Sequence, residues 1–322
     1  MMTAGAGHLM VGLDVQAGWA GIIAVSQPSS GHYLLRAAVV AELSESVPAE
    51  GVIQDLRAEA GVRSEGVRCN LGPASVIVHE TQFPEMPLED LRSAARIEAG
   101  QLIPDLDRMA VDCQVIGRSA TQEGAPQVKV MVVAAPRQAI EERAALLGRA
   151  RVRVLSLVPD GVALANAVSV LRPPQEAADV LLDIGADNTV LVAVMPPAKA
   201  MAPVVRQVAG GLDLLGAPGK SRPTDARTAD MAKDQWLQDV ERSVQFVSSK
   251  LDAPAQRLLV VGDGAGSPTL LDWIKQNLAI PVYSWNPLNF LGRGAGAPPD
   301  SFVKEQGPRL AVAVGLALME GT

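Results

Sequence analysis

The chain has 322 residues, and because a typical domain contains roughly 150 residues, this length predicts two domains with a substantial core. Hydrophobic residues make up 48% of the sequence and charged residues 20%, a balance that excludes a wholly disordered chain. The 28 Lys and Arg residues against 35 Asp and Glu residues give a net charge of −7. This charge argues against a nucleic-acid-binding protein and against direct binding to an anionic membrane surface.

The cysteines and the apolar segments restrict the cellular setting. Cys69 and Cys113 stand apart from any C-x-x-C motif, so the sequence predicts neither a disulfide framework nor a zinc site. The purest apolar run covers residues 310–319, which is shorter than the roughly 20 residues that span a bilayer. The N-terminal residues lack the basic segment of a signal peptide. We therefore expect a soluble protein of a reducing compartment, without direct membrane insertion, that reaches a membrane only through a partner.

Apolar patterning and Pro or Gly punctuation predict the elements of the first half in chain order. A strand hairpin, a third strand, a helix and a fourth strand occupy residues 13–25, 33–41, 47–60 and 74–81. A helix, two strands, a helix, a strand and a helix follow over residues 87–103, 110–116, 128–135, 137–150, 152–158 and 161–171. We interpret residues 1–172 as a first core, with an inserted α+β subdomain at about 81–150.

A linker with two prolines at residues 172–177 predicts the boundary to a second core over residues 177–322. Its predicted elements alternate between strand and helix and occupy residues 182–194, 204–209, 233–251, 257–261, 268–277, 280–283 and 309–319. Residues 212–232 are rich in Gly, Pro and charged side chains, which predicts an irregular loop.

A repeated hairpin links the two halves. Residues 13–25 and 182–194 are identical in five of thirteen aligned columns, and each copy has an Asp at the end of an apolar strand, Asp14 and Asp183. Two homologous halves would explain the repeat, whereas a chance match of two apolar hairpins is the alternative. Each Asp either faces a phosphate and magnesium site or only accepts hydrogen bonds from its own turn.

Two glycine clusters, Gly210–Gly211 after a strand and residues 262–266 before a helix, would allow a nucleotide to approach the backbone closely. Neither cluster has the spacing of a Rossmann or P-loop motif, and most glycine clusters of this size are ordinary turns. The histidines His8, His32 and His79 fall in or beside strands, and no serine lies in a nucleophile elbow. The sequence therefore predicts no catalytic residues and no enzyme of the triad or metal type.

Several segments together resemble the PilM family, the actin-like cytoplasmic proteins of type IV pilus assembly, whose fold is related to that of FtsA. The matching segments are Gly12-Leu-Asp-Val15, Met86-Pro-Leu, Arg96-Ile-Glu-Ala, Gln101-Leu-Ile-Pro104, Val128 to Arg137, Leu182 to Thr189, Arg206 with Gly210-Gly211, Asn286-Pro287 and Gly315 to Leu318. The resemblance implies an actin-like (ribonuclease H-like), two-lobed, duplicated α/β fold with an inserted α+β subdomain.

The resemblance also implies a nucleotide site and a partner. ATP with magnesium would lie between the hairpins, with magnesium held through water by Asp14 and Asp183. The nucleotide-binding residues implied are Asp14, Gln16, Gly18, Asp183, Gly185, Thr189, Gly210, Gly211, Gly262 and Gly264. Similar proteins sit at the inner face of the bacterial inner membrane, where the cytoplasmic tail of PilN docks between the insert and the first core. We expect Leu88, Leu91 and Leu102 on the 87–103 helix to contact that tail.

Three departures from the family pattern predict weak or lost nucleotide binding. Gln16 stands where glycine is common, Gly21 where lysine is frequent, and Asp263 replaces a glycine of the adenosine turn. In addition, residues 212–232 are too few for the helical subdomain that closes over the nucleotide in relatives.

The favoured hypothesis is a non-catalytic scaffold, and the alternative is an ATP-using kinase-like enzyme or a polymerising actin-like ATPase. At most slow ATP hydrolysis is expected. Self-association, and the pilus or secretion system served, are left open by the sequence.

Overall fold

The computed structural model describes residues 8–27, 31–72, 76–121, 124–172, 178–195, 201–215, 226–251 and 254–319. The strands are β1 (Leu9–Val15), β2 (Trp19–Ser26), β3 (Leu34–Glu42), β4 (Val67–Asn70), β5 (Ile77–Pro84), β6 (Met109–Ala120), β7 (Pro126–Pro136), β8 (Val154–Val158), β9 (Asp179–Ile184), β10 (Asn188–Val194), β11 (Val204–Ala209), β12 (Leu258–Val261), β13 (Val282–Ser284) and β14 (Gly292–Arg293). The helices are α1 (Ala49–Glu59), α2 (Leu88–Leu102), α3 (Arg137–Arg149), α4 (Asp160–Leu171), α5 (Leu212–Leu215), α6 (Ala226–Lys250), α7 (Pro268–Asn277), α8 (Asp300–Gln306) and α9 (Ala311–Ala317).

The first sheet has six strands in the order β14-β3-β2-β1-β4-β8. Strands β1, β2 and β3 form an antiparallel meander, whereas β4 and β8 add in parallel on the other side of β1. One face of the sheet packs on α1 and α3, through Ile53, Leu56 and Leu147. The other face packs on α9. Both faces of β2 are therefore covered, which explains why all eight of its residues are buried.

The second sheet has five strands in the order β11-β10-β9-β12-β13 and repeats the meander of the first. One face packs on α6 and α7 through a core that contains Trp236, Val240 and Ile274. The other face packs on α4 and α9. Helices α4 and α9 thus lie between the two large sheets, and their small residues allow close contact. A side chain on Gly315 of α9 would collide with the backbone of Ala163, since the Cβ would lie 1.9 Å from its carbonyl oxygen.

The third sheet is antiparallel, in the order β5-β7-β6; β6 and β7 lie in the predicted insert, whereas β5 begins at Ile77, before its predicted start at about 81. Helix α2 covers one face through Leu91, Ala95 and Ala99. The other face contributes Met131 to a core that also contains Ala202 of the second half. The third sheet is therefore packed against the second half of the chain as well as being connected to the first.

Most predicted strands and helices are present, with differences at particular places. Helix α6 begins at Ala226, within the stretch predicted as a loop up to residue 232, and residues 212–215 are helical. Residues 216–225 of that stretch, and 173–177 of the predicted linker, lie outside the described residues. The pattern did not predict β4 or α8. The predicted insert includes helix α3, but this helix packs through Leu147 on the first sheet. None of the described helices is long and apolar enough to cross a membrane.

Candidate functional site

The turn of the first hairpin carries an acidic side chain that shares a hydrogen-bond donor with a second carboxylate. Asp14, near the end of β1, is 1% exposed. The side-chain amide of Gln16 donates a hydrogen bond to Asp14 Oδ1 at 2.8 Å and another to Asp160 Oδ2 at 3.2 Å. Gln16 therefore lies between two carboxylates and bonds to both.

Asp160 was not predicted as a site residue. It is the first residue of α4, directly after Pro159, a position where the helix dipole favours an acid. The backbone N–H of Gly72 donates to its Oδ1 at 3.2 Å, and the amide of Asn70 donates to its Oδ2 at 3.4 Å. The strand-Pro-Asp-Gly pattern at the start of this helix was the one signal in the sequence that could have identified it.

The turn of the second hairpin places Asp183 across the cleft from the turn of the first hairpin. Gly262, at the end of β12, has a φ of +76°, and a Cβ there would lie 2.1 Å from Asp183 Oδ1. Glycine is therefore required at this position by both the backbone conformation and the space. Gly211 packs directly against the turn of the second hairpin, because a Cβ there would lie 2.4 Å from the carbonyl oxygen of Gly185.

A cavity of about 240 Å³ lies between these turns. The structure brings six of the predicted nucleotide-site residues to its wall: Asp14, Gln16, Gly18, Asp183, Gly185 and Gly262. Residues that were not predicted, among them Asp160 and Arg309, also line it. We call this cavity the cleft.

The other four predicted residues do not line the cleft in this structure. They are Thr189, Gly210, Gly211 and Gly264. The hydroxyl of Thr189 is buried, donates to the carbonyl oxygen of Gly210 at 2.7 Å and accepts from the Trp236 indole at 3.1 Å. The glycine pair approaches the second hairpin rather than the cleft, and Gly264 packs on Ile184. These residues hold the second hairpin in place.

Burial raises the pKa values of three acids at the cleft floor, and neighbouring carboxylates raise two of them further. Burial raises the pKa of Asp14 well above its usual value, and the charges of Asp160 and Asp183 raise it further. Burial also raises the pKa of Asp160. Burial, with the charges of Asp160 and Asp263, raises the pKa of Asp183 to about 8. Without a bound cation, part of this cluster is therefore protonated at neutral pH.

A second set of contacts crosses the mouth of the cleft. The Arg309 guanidinium forms ion pairs with Asp263, at 2.6 Å, and with Glu42, at 3.0 Å. It also lies over the Trp19 ring, 4.3 Å from the centroid, and the Trp19 indole donates to Asp263 at 3.2 Å. We call these four residues the clasp. Glu42, Arg309 and Trp19 could not be identified from the sequence, because Arg309 meets Glu42 across 267 positions and Trp19 meets Asp263 across 244, and such contacts leave no local signal.

One carboxylate oxygen at the cleft floor has no hydrogen-bond donor among the described residues. Asp14 Oδ2 is buried and accepts no hydrogen bond from a described residue, as expected of a group that could face a hydrated magnesium ion. Among the described residues, however, no three His, Cys, Asp or Glu side chains are arranged to ligate a metal directly. The volume of about 240 Å³ is below the roughly 300 to 1,000 Å³ of ligand pockets. The cleft in this structure is therefore smaller than a typical ligand pocket.

A larger cavity, of about 960 Å³, lies between the first core and helix α3, and none of its described lining residues belongs to the third sheet. We call it the root cavity. Its walls are mostly apolar and come from the first hairpin turn, the β3–α1 connection, the end of β4 and helix α3, including Val15, Leu43, Val47, Leu71 and Leu146. Arg143 of α3 also lines it and donates to the carbonyl oxygens of Val15, at 3.0 Å, and Leu71, at 3.4 Å. The other terminal nitrogen of Arg143, Nη1, is buried without an acceptor among the described residues.

The predicted partner-binding residues of α2 lie elsewhere. Leu88 and Leu102 are each 51% exposed, at the two ends of the helix. Leu91 is 2% exposed and packs in the core between α2 and the third sheet. The assignment of Leu91 as a partner contact is therefore corrected, because its side chain is not accessible.

Comparisons with known proteins identify relatives of the whole fold. The family model for the type IV pilus assembly protein PilM matches residues 27–200. The solved PilM-PilN type IV pilus biogenesis complex superposes with a TM-score of 0.75 at 24% identity, over 96% of this chain and 97% of that chain. A nucleotide-free diol dehydratase-reactivating factor superposes with a TM-score of 0.52 at 9% identity, over 97% of this chain and 99% of that chain.

EutJ from Carboxydothermus hydrogenoformans has a TM-score of 0.49 at 14% identity, over 99% of this chain and 93% of that chain. No curated protein matches the sequence. The superposition on the PilM structure confirms the actin-like fold class predicted from the sequence.

Proposed function

The chain belongs to the PilM family of type IV pilus assembly proteins, and on that premise we propose that it is a non-catalytic scaffold that docks the cytoplasmic tail of a PilN-like inner-membrane protein. Attachment through that tail would hold the protein at the cytoplasmic face of the membrane. The family match over residues 27–200 includes the whole of the third sheet and most of the root cavity.

The root cavity is the observation that carries the proposal. It is lined by the first core and helix α3, not by the 87–103 helix where the sequence predicted the tail contacts, and its volume of about 960 Å³ suits several side chains of an extended peptide. Its apolar walls would bury one or two apolar side chains of the tail. A few buried side chains of this kind usually contribute most of the binding free energy.

Arg143 adds a polar requirement to this docking site. Its Nη1 is buried and has no acceptor among the described residues, which is unfavourable for a charged donor. A carbonyl or carboxylate oxygen of the docked tail would accept that hydrogen bond if docking shifts the Arg143 side chain and exposes Nη1. We therefore expect an anchor sequence that combines an apolar residue with an acceptor near it.

Nucleotide binding is proposed to be weak or vestigial, and hydrolysis negligible. The small cleft volume and the ion pair between Asp263 and Arg309 support this part of the proposal.

A binding experiment tests the docking site. The probe is a fluorescent synthetic peptide with the sequence of the cytoplasmic tail of the PilN protein from the same genome, and affinity is measured by fluorescence anisotropy. Val47 is 48% exposed and lines the root cavity, so Val47→Glu should leave the fold intact while placing a charge among the apolar walls. We expect this variant to weaken binding at least tenfold.

Leu88→Glu and Leu102→Glu are matched controls, because both side chains are half-exposed apolar residues outside the root cavity. They should bind the peptide as the wild type does. If the two α2 variants lose binding while Val47→Glu keeps it, the tail docks on α2 and the root cavity is not the site. Circular dichroism of each variant shows whether the fold is retained.

A further inference from the structure

We infer that Arg309 closes the cleft where a nucleotide would otherwise bind. Its non-covalent contacts with neighbouring side chains hold the two large sheets together at the mouth of the cleft. The inference concerns the state of the cleft and goes beyond the docking proposal, since it stands whether or not a tail binds in the root cavity.

The clasp joins parts of the chain that have no covalent connection nearby. Trp19 begins β2 and Glu42 ends β3, both in the first sheet, whereas Asp263 follows β12 of the second sheet. Arg309 contacts all three, through ion pairs of 3.0 Å and 2.6 Å and a ring contact of 4.3 Å. One guanidinium therefore bridges the two sheets, and the Trp19 to Asp263 hydrogen bond bridges them a second time.

The clasp is partly shielded from water, and its Arg309 to Asp263 contact is an ion pair without a well-aligned hydrogen bond from Nε. The side chains of Arg309 and Asp263 are 20% and 15% exposed, and Trp19 is 4% exposed. Ion pairs and cation–π contacts are stronger when water is partly excluded than on an open surface. Glu42 is 72% exposed and contributes less.

The residues on either side of Arg309 also contact both large sheets. The N–H of Gly262 donates to the carbonyl oxygen of Pro308 at 3.0 Å. On the other side, Leu310 packs in the core of the first sheet with Trp19. Arg309 is thus presented at the mouth of the cleft by a turn that is itself anchored to both sheets.

Gln16 has a corresponding role at the floor. Its amide is bonded to Asp14 and Asp160, the place between two carboxylates where a hydrated cation would otherwise be favourable. The neutral Gln16 amide at the floor and the Arg309 guanidinium at the mouth together compensate part of the negative charge of the cleft. A nucleotide entering the cleft would have to displace both, and only about 240 Å³ is left beside them.

The experiment compares the wild-type chain with Arg309→Ala and Asp263→Asn. Asp263→Asn removes the ion pair but keeps an acceptor for the Trp19 indole, so it is the milder change. Arg242→Ala is the matched control, because Arg242 forms an ion pair with Asp239 inside a single helix. The readouts are the radius of gyration from small-angle X-ray scattering, hydrogen exchange at the first hairpin turn, and the thermal shift on addition of millimolar Mg-ATP.

We expect a lower Tm, faster exchange and a larger radius of gyration in Arg309→Ala, a smaller change in the same direction in Asp263→Asn, and no change in Arg242→Ala. The wild type should show no thermal shift with Mg-ATP. The inference is wrong if wild-type protein binds Mg-ATP with micromolar affinity. It is equally wrong if Arg309→Ala is folded and has the exchange rates and radius of gyration of the wild type.

Discussion

The protonation state of Asp183, at the cleft floor, depends on the groups that the fold places around it. Its carboxylate is enclosed by Gly262, where no side chain fits, and it faces the carboxylates of Asp14, Asp160 and Asp263. Burial and the charges of Asp160 and Asp263 raise its pKa to about 8, which makes the protonated form the stable one in the folded protein at neutral pH.

This shift predicts the pH dependence of stability. In the unfolded chain the pKa of Asp is about 3.9, so between about pH 4 and 8 the folded state binds a proton that the unfolded state does not. The stabilisation is complete below about pH 4 and is lost as the pH rises through the folded pKa of about 8. We expect the Tm to fall from about pH 5 to 8 and Asp183→Asn to reduce that fall, measured by thermal unfolding under circular dichroism.

Asp187 provides the control, because it is an exposed acid on the same hairpin turn. Asp187→Asn should keep the wild-type dependence on pH. Some dependence will remain in Asp183→Asn, because the pKa values of Asp14 and Asp160 are also raised. An unchanged slope in Asp183→Asn would contradict the assignment of the shift to this carboxyl group.

The sequence could identify Asp14 and Asp183 because each ends an apolar strand at a sharp turn, a pattern that is local. It could not identify Arg309 or Glu42, which meet across 267 positions and carry no local pattern. Thr189 matched the family segment, but its hydroxyl is directed to Gly210 and Trp236 instead of the cleft. A motif locates a turn, whereas the direction of each side chain depends on tertiary contacts.

Among the elements, helices α4 and α9 determine how closely the two large sheets approach. Gly12 of β1 lies against α9, where a Cβ would be 2.1 Å from the carbonyl oxygen of Ala313 and 2.7 Å from the backbone nitrogen of Ala317. Both neighbours are backbone atoms that cannot move aside. Only glycine allows β1, and therefore Asp14, to lie at this distance from α9.

Gly12→Ala is therefore expected to destabilise the protein by about 1–3 kcal/mol, the cost of overpacking a core. Chemical denaturation followed by circular dichroism measures the change. Gly148→Ala is the matched control, because Gly148 lies in helix α3 and a Cβ there would have no neighbouring atom within 4 Å. That variant should be more stable by about 0.5–1 kcal/mol, as alanine favours the helix. Equal effects of the two substitutions would contradict the packing argument.

Element prediction succeeded where the pattern was long and apolar and failed where it was short or polar. The limits of β11 and α7 agree with the prediction at both ends. Strand β4 has only four residues, including Arg68 and Asn70, and its pairing with β1 and β8 depends on tertiary structure. Helix α6 begins earlier than predicted because its first turns are polar and lack the apolar stripe that marked the rest.

At the scale of the whole molecule, the third sheet connects the two halves. Glu80 of β5 accepts a hydrogen bond from the backbone N–H of Ala202 at 2.7 Å and forms an ion pair with Lys129 at 3.5 Å. The sequence predicted the actin-like class and the insert, but it could not show that the insert contacts the second half. The predicted boundaries at residues 172 and 177 remain a prediction, and β14, from the C-terminal half, pairs with β3 of the first sheet.

Glu80→Ala should weaken the contact between the third sheet and the second half. Removing the acceptor leaves the Ala202 N–H unpaired, at a cost of about 1–3 kcal/mol. Hydrogen exchange should become faster around residues 201–205. Glu85→Ala, which breaks an exposed ion pair with Arg118 inside the third sheet, should leave those amides unchanged. Exchange that responds equally to both variants would show that Glu80 does not support this contact.

The first hairpin turn separates the cleft from the root cavity, since Gln16 and Ala17 line both. A ligand that shifts this turn from within one of the two cavities therefore alters the shape of the other cavity. By thermodynamic linkage, the free energy by which a docked tail changes cation or nucleotide affinity in the cleft must equal that by which such a ligand changes affinity for the tail. A measurement of either effect therefore gives the other.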